Sequence, residues 1–325
     1  MSAPPPLLEV RDLVTTFPLN GGACIRAVDG VDLDLSRGEV LAVVGESGCG
    51  KSTLARSILR LVEPEAGRIR FAGRDLRALD ARALRRARRE MQLVFQDPMA
   101  SLDPRFTIGR SLMEPLIVHG VGSAAERRGR AADLLGLVGL EPAAAERYPH
   151  EFSGGQRQRL AIARALSVDA RVVVLAEPVS ALDVSIQAQI LNLLLDLKER
   201  LHLTYLFISH DLGVVRAVAD RVSVMYLGRI VESAPVEALF AAPAHPYTEA
   251  LLAAVPIPDP TRRRARAATP GEPPSPEHPP PGCGFHPRCP RAVARCGTVE
   301  PPAIAVAAGH VARCHLAAVV STPPR

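Results

Sequence analysis

Gly45-Glu46-Ser47-Gly48-Cys49-Gly50-Lys51-Ser52-Thr53 sets two glycines around four residues and follows them with Lys and a hydroxyl side chain. That spacing is the phosphate-loop pattern. Ahead of it, Val40 to Val44 is a short apolar run, as expected of a parallel strand buried on both faces. Behind it, Leu54 to Val62 reads as a helix. Glycines let the backbone close into a concave nest with its N–H groups turned inward, and a helix N-terminus adds partial positive charge there. Strand, loop and helix together predict a cradle for a nucleoside triphosphate. Lys51 is expected on the β- and γ-phosphates and the Ser52 hydroxyl on Mg²⁺.

Working outward, Leu7 to Val14 and Val28 to Leu35 read as edge strands around Gly21-Gly22, and Gly67 to Phe71 as a short strand turning at Gly73. Leu79 to Glu90 has helical period and Met91 to Gln96 returns to strand. From about Pro98 to Ser167 the period is helical with breaks, which predicts an inserted helical subdomain; Glu126 to Leu140 and Gln158 to Leu166 are its clearest helices. Strands follow at Arg171 to Ala176, Thr204 to Ser209 and Arg221 to Tyr226. Helices lie between them at Asp183 to His202, with Asp183 placed as its cap, and at Leu212 to Ala219. The fold class is α/β: a mostly parallel sheet, an antiparallel edge and a helical insertion. Beyond Pro256 the composition changes. Pro258 to Pro281 is dense in proline without a period, so it should be extended.

The 325 residues are long enough for one large domain or two unequal ones. The charge of +5 is mild and demands neither nucleic acid nor a membrane surface. Lys51 and Lys198 are the only lysines, so Arg carries the positive charge, and the cluster Arg82 to Arg89 reads as a solvated helix face. Met1 to Val10 has neither a basic nor an apolar signal-peptide region, and no apolar run reaches the length of a bilayer. Both features predict a soluble, cytoplasmic chain. Six cysteines in that setting argue for metal or thiol chemistry over disulfides.

The run Phe152-Ser153-Gly154-Gly155-Gln156-Arg157-Gln158-Arg159 adds a second anion site, a hydroxyl and bare N–H groups at a helix start. One ATP does not need two such sites from one chain, whereas two head-to-tail chains would share them. Here the sequence resembles the ATP-binding-cassette (ABC) ATPases over about residues 7–245, with Ser153 to Gln156 as their signature motif. The resemblance implies that Gln96 is the glutamine touching Mg²⁺ and the attacking water. It implies that Glu177 is the general base, that Asp183 ends the loop crossing the dimer interface, and that His210 contacts the γ-phosphate. An aromatic residue usually stacks on adenine in this family. Phe17 is the candidate, with Ile25 as an apolar substitute, and a core role for Phe17 stays open. One departure matters: the Asp that normally precedes the catalytic Glu and orients Mg²⁺ is replaced here by Ala176.

Further stretches narrow the branch. Val179 to Gln189, Met225-Tyr226-Leu227-Gly228, His245-Pro246-Tyr247-Thr248 with Val255 to Pro260, Gly271 to Pro276 and Gly282-Cys283 resemble oligopeptide/dipeptide importers, closest to the second of their two ATPase subunits. That resemblance divides the chain into a nucleotide-binding domain at 1–245, with the insertion at about 98–167, and an importer extension at 246–325. It implies a second, unlike ATPase subunit, two transmembrane permease subunits and an extracytoplasmic peptide-binding protein. It implies a peripheral place on the cytoplasmic face of the membrane and no nucleic acid partner. Cys283, Cys289, Cys296 and Cys314 are spaced C-x5-C-x6-C-x17-C, which is neither a zinc ribbon nor a ferredoxin run. The resemblance implies a [4Fe–4S] cluster there, with Zn²⁺ or free thiols as alternatives. Nickel or glutathione cargo, a regulatory subunit with a degenerate site, and a soluble ABC ATPase of DNA repair or translation are the competing functions.

Overall fold

The computed structural model describes residues 5–19, 24–255 and 271–317. Gly21-Gly22, most of the Val255 to Pro260 motif and the first half of the proline-rich stretch lie outside them. In chain order the elements are β1 (Leu8–Pro18), β2 (Cys24–Leu35), β3 (Val40–Val44), α1 (Lys51–Ile58), β4 (Ala66–Phe71), β5 (Arg74–Asp75) and α2 (Ala81–Arg89). Then come β6 (Met91–Val94), α3 (Ile108–Val118), α4 (Ala124–Leu137), α5 (Gly154–Ala165), β7 (Val172–Ala176), α6 (Val184–Leu201) and β8 (Thr204–Ser209). The series closes with α7 (Leu212–Val218), β9 (Arg221–Tyr226), β10 (Arg229–Pro235), α8 (Val236–Ala241), α9 (Pro246–Ala254), β11 (Ala303–Ala307) and β12 (His310–Arg313).

The chain divides into two units, described separately. The first holds Met1–Leu35, Val40–Arg74 and Ser209–Arg325. In it β1 pairs antiparallel with β2 and β4; alternation puts Leu8 and Val10 inside, and a register shift between Val10 and Leu13 brings Leu13 back to the buried side. β3 pairs parallel with β9, and its five residues are all buried, as its apolar run predicts. β9 turns into antiparallel β10 through Leu227 and Gly228, both at positive φ (43° and 81°), as a two-residue hairpin with matching twist requires. β12 pairs with β10 and β11 with β12, so the extension adds two strands to the same sheet.

The second unit holds Ser36–Glu39 and Asp75–Ile208. Here β6, β7 and β8 run parallel, with Val172 opposite both Met91 and Thr204. The insertion folds as α3, α4 and α5 packed on one another through Ile108, Leu112, Leu116, Leu134, Leu135, Leu160 and Ile162. Each start is capped. Thr107 caps α3, and Ser123 with Glu126 forms a reciprocal capping box on α4. Asp183 takes the cap position of α6 with an extended backbone, yet its exposed carboxylate accepts no helix N–H. The capping expected of it is therefore not made. The loop before it is instead held by Gln187, whose side-chain amide donates to the Val179 and Leu182 carbonyls, at 3.0 Å each.

Candidate functional site

The phosphate loop lies between β3 and α1. A Cβ at Gly45 would stand 2.2 Å from the Met225 carbonyl oxygen, and one at Gly50 would stand 2.0 Å from that of Ala27. Only glycine fits this close approach, and Gly50 also needs its left-handed φ of 108°. The buried Lys51 ammonium donates to the carbonyls of Gly45 (2.8 Å) and Glu46 (2.9 Å) and lies 3.8 Å from Cys49 Sγ. Burial pushes the Cys49 thiol up, with the Lys51 charge opposing it. Ser47, Gly48 and Ser52 are exposed, and Thr53 is half-buried in the first turn of α1. The loop thus offers open backbone, a cation and a hydroxyl in one turn, a donor set suited to phosphate and to a hard cation.

Glu46 is held at every polar group. Its N–H donates to the Tyr247 hydroxyl (2.9 Å) and its carbonyl accepts from Lys51. Its carboxylate takes both arms of the Arg288 guanidinium, at 2.9 and 3.0 Å. Arg288 is buried and its Nε has no partner. Its guanidinium lies 5.9 Å from the ring centroids of both Tyr226 and Phe285, which pack with Tyr247. Hydrogen bonding to Glu46 raises the Arg288 pKa further. Sequence reasoning missed Arg288 as a site residue, because nothing in local spacing says that position 288 meets position 46.

Ser153 caps α5. Its hydroxyl accepts from Gln156 N–H (3.4 Å), and the Gln156 side chain accepts from Ser153 N–H (3.0 Å). Ser153 and Gly154 are exposed, so the Ser-Gly-Gly helix start faces solvent and not its own interior. A Cβ on Gly155 would meet Ile186 Cγ2 at 2.5 Å. Gln96 is exposed just past β6. Ala176 closes β7 opposite Ile208 and is half-buried. Glu177 follows at φ 50°, a costly conformation for a non-glycine residue, with its N–H on the Ile208 carbonyl (2.9 Å). His210 is exposed between β8 and α7, where Asp211 caps the helix. Phe17 is 38% exposed and sits directly opposite Ile25 in the β1–β2 register, an open apolar pair and not a core contact.

The four tail cysteines are free thiols, and Gly282 brings Cys283 N–H to the Cys296 carbonyl (2.8 Å). Burial pushes the Cys283 and Cys289 thiols up, and the neighbouring tail thiols add to it. Three of the sulfurs accept the backbone N–H two residues on, at Phe285, Arg291 and Leu316. Even so, among the described residues no group of three or more His, Cys, Asp or Glu side chains could hold a metal ion. The expected iron–sulfur or zinc ligand shell is not formed: the thiols are neighbours that do not meet at one centre. His315 Nε2 lies 2.8 Å from the Val299 carbonyl, and His310 is buried against Glu232.

Comparison with known proteins adds independent support. Residues 28–180 match the ABC transporter family, and residues 231–296 match the oligopeptide/dipeptide transporter C-terminal region. The chain is 55% identical over 309 residues to a putative peptide import ATP-binding protein of Brucella ovis, covering 95% of this chain and 97% of that one. It is 49% identical to the oligopeptide transport ATP-binding protein AppF of Bacillus subtilis, covering 95% and 97% respectively. Among solved structures, the ATP-binding cassette MJ0796, a dimer bound to ADP and Pi, aligns with a TM-score of 0.64 and 31% identity over 70% of this chain and 98% of that one. The phosphate loop, the capped Ser-Gly-Gly start and these matches agree: the chain belongs to the ABC transporter family, among the ATP-binding subunits that carry the oligopeptide/dipeptide C-terminal region.

Proposed function

We propose that the chain is the ATP-binding and ATP-hydrolysing subunit of a membrane importer of di- and oligopeptides. The observation that carries this reading is the exposed Ser153 and Gly154 at the start of α5, a phosphate lid available to a neighbouring cassette. Phe17 stacks on adenine, the phosphate-loop N–H groups and Lys51 hold the triphosphate, and Ser52 with Gln96 would hold Mg²⁺. Bound Mg²⁺ would draw charge off the phosphate oxygens. Glu177 takes the proton of the attacking water and His210 supports the γ-phosphate. Ser153 to Gln156 close over the nucleotide of the partner, and closure moves the permease subunits. The resemblance supports an unlike ATPase partner, two permeases, an extracytoplasmic binding protein and a peripheral position on the cytoplasmic face. Among the described residues no helix is long and apolar enough to cross a membrane. In the test, Lys51→Ala removes nucleotide binding, whereas Ser153→Ala spares binding by the single chain and lowers ATPase in the assembled transporter. Unchanged ATP affinity in Lys51→Ala overturns the loop assignment.

Ala176 favours a second reading, a nucleotide-binding regulatory subunit of the same kind of importer, since position 176 offers no carboxylate to the cation. Nickel or glutathione is the alternative cargo. For the tail, the resemblance alone supports an iron–sulfur cluster, with zinc as the alternative, since no ligand shell is preformed among the described residues. Visible absorbance with stoichiometric iron in anaerobically purified protein tests it, and metal-free thiols refute it.

A further inference from the structure

Glu46 follows the first glycine of the phosphate loop, so its backbone sets how the nest opens. All three of its polar groups are fastened, and two of the three partners belong to the extension, Tyr247 on α9 and Arg288 beyond it. A half-buried carboxylate beside a polyanion site would repel phosphate if left bare, and a bidentate guanidinium both cancels that charge and fixes its direction. Arg288 ends a short turn, His286–Arg288, in which its N–H donates to the Phe285 carbonyl (3.0 Å). That turn is bracketed by Cys283 and Cys289, so the fold that gathers the thiols also aims the guanidinium.

We propose that Arg288 is a positioning residue for nucleotide binding: it clamps Glu46, presets the phosphate loop before ATP arrives, and ties nucleotide affinity to the folded state of the four-cysteine extension. The inference rests on the ATP-binding reading above. It predicts that the extension regulates the cassette from within the chain, by holding or releasing one loop residue.

The experiment measures MgATP affinity of the full chain, with ATPase KM and kcat of the assembled transporter, for wild type, Arg288→Met, Arg288→Lys and the double variant Glu46→Gln/Arg288→Met. Losing the clamp is expected to weaken ATP binding and raise KM about tenfold or more, with a much smaller change in kcat. Arg288→Lys keeps the charge and recovers part of the affinity. The double variant regains only what removal of the stranded carboxylate returns and stays weaker than wild type, because no guanidinium fixes the loop. Recovery in Arg288→Lys separates positioning from misfolding: a role confined to packing would leave Arg288→Lys no better than Arg288→Met. Equal affinity in wild type and Arg288→Met, or wild-type affinity in the double variant, overturns the clamp. Failure of wild type itself to bind ATP overturns the nucleotide-site reading on which it stands.

Discussion

Ala176→Asp puts a carboxylate where β7 ends. Ala176 is half-buried at the last rung of β7 opposite Ile208, so the new group reaches solvent and its desolvation cost is small. Glu177 is the adjacent acid, but its φ of 50° turns the chain sharply. At roughly 7 Å and an effective dielectric of about 40, the like-charge penalty is about 1 kcal/mol. Against that, a supporting metal ligand is worth about 10–100-fold in affinity or activity, or about 1.4–2.7 kcal/mol. The sign therefore depends on the cation. In EDTA the variant should unfold slightly more easily than wild type. With MgATP it should bind Mg²⁺ more tightly and raise ATPase per site by about 10–100-fold in the assembled complex. Urea melts with and without MgATP, and ATPase against Mg²⁺ concentration, read both halves. An unchanged rate and Mg²⁺ dependence would refute the argument that position 176 limits the site.

Phe17→Ala should weaken ATP by about 1–3 kcal/mol, the usual worth of base stacking, while leaving stability nearly unchanged because the ring is already 38% exposed; isothermal titration and a thermal melt check the pair. Burial, with Arg291 adding, holds the His245 imidazole down at about 4 against an ordinary 6.5. The unfolded chain then binds the extra proton first, so stability falls as pH drops from about 6.5 to about 4, by on the order of 3 kcal/mol. His245→Asn keeps a cap for the Tyr247 N–H and should flatten that slope in urea melts across the window.

Short-range patterns made the core of this chain legible. Val40 to Val44 had to be a buried strand, and the glycines at 45 and 50 had to be glycines, since a single Cβ would strike backbone oxygen. Ser153 with Gln156 is a capping box written in four letters. Strand β10 was missed although Leu227-Gly228 is a hairpin turn, because its burial does not alternate cleanly. Strands β11 and β12 were missed because they are short, and three of the five residues of β11 are alanine. Asp183 had the right residue type and place for a cap, yet makes no such bond. The Arg288–Glu46 pair was beyond reach for a different reason. Its partners are 242 residues apart, and no local period encodes a contact set by tertiary folding.

The addition of β12 to β10 has a consequence for the solubility of shortened chains. Glu232, fully enclosed, accepts from the Ala244 and His245 N–H groups and pairs with His310 on β12. A chain cut before residue 303 would expose a row of unmatched amides along β10 and leave that carboxylate without its imidazole. An uncovered strand of this kind recruits copies of itself, so the tail also keeps the sheet from templating aggregates.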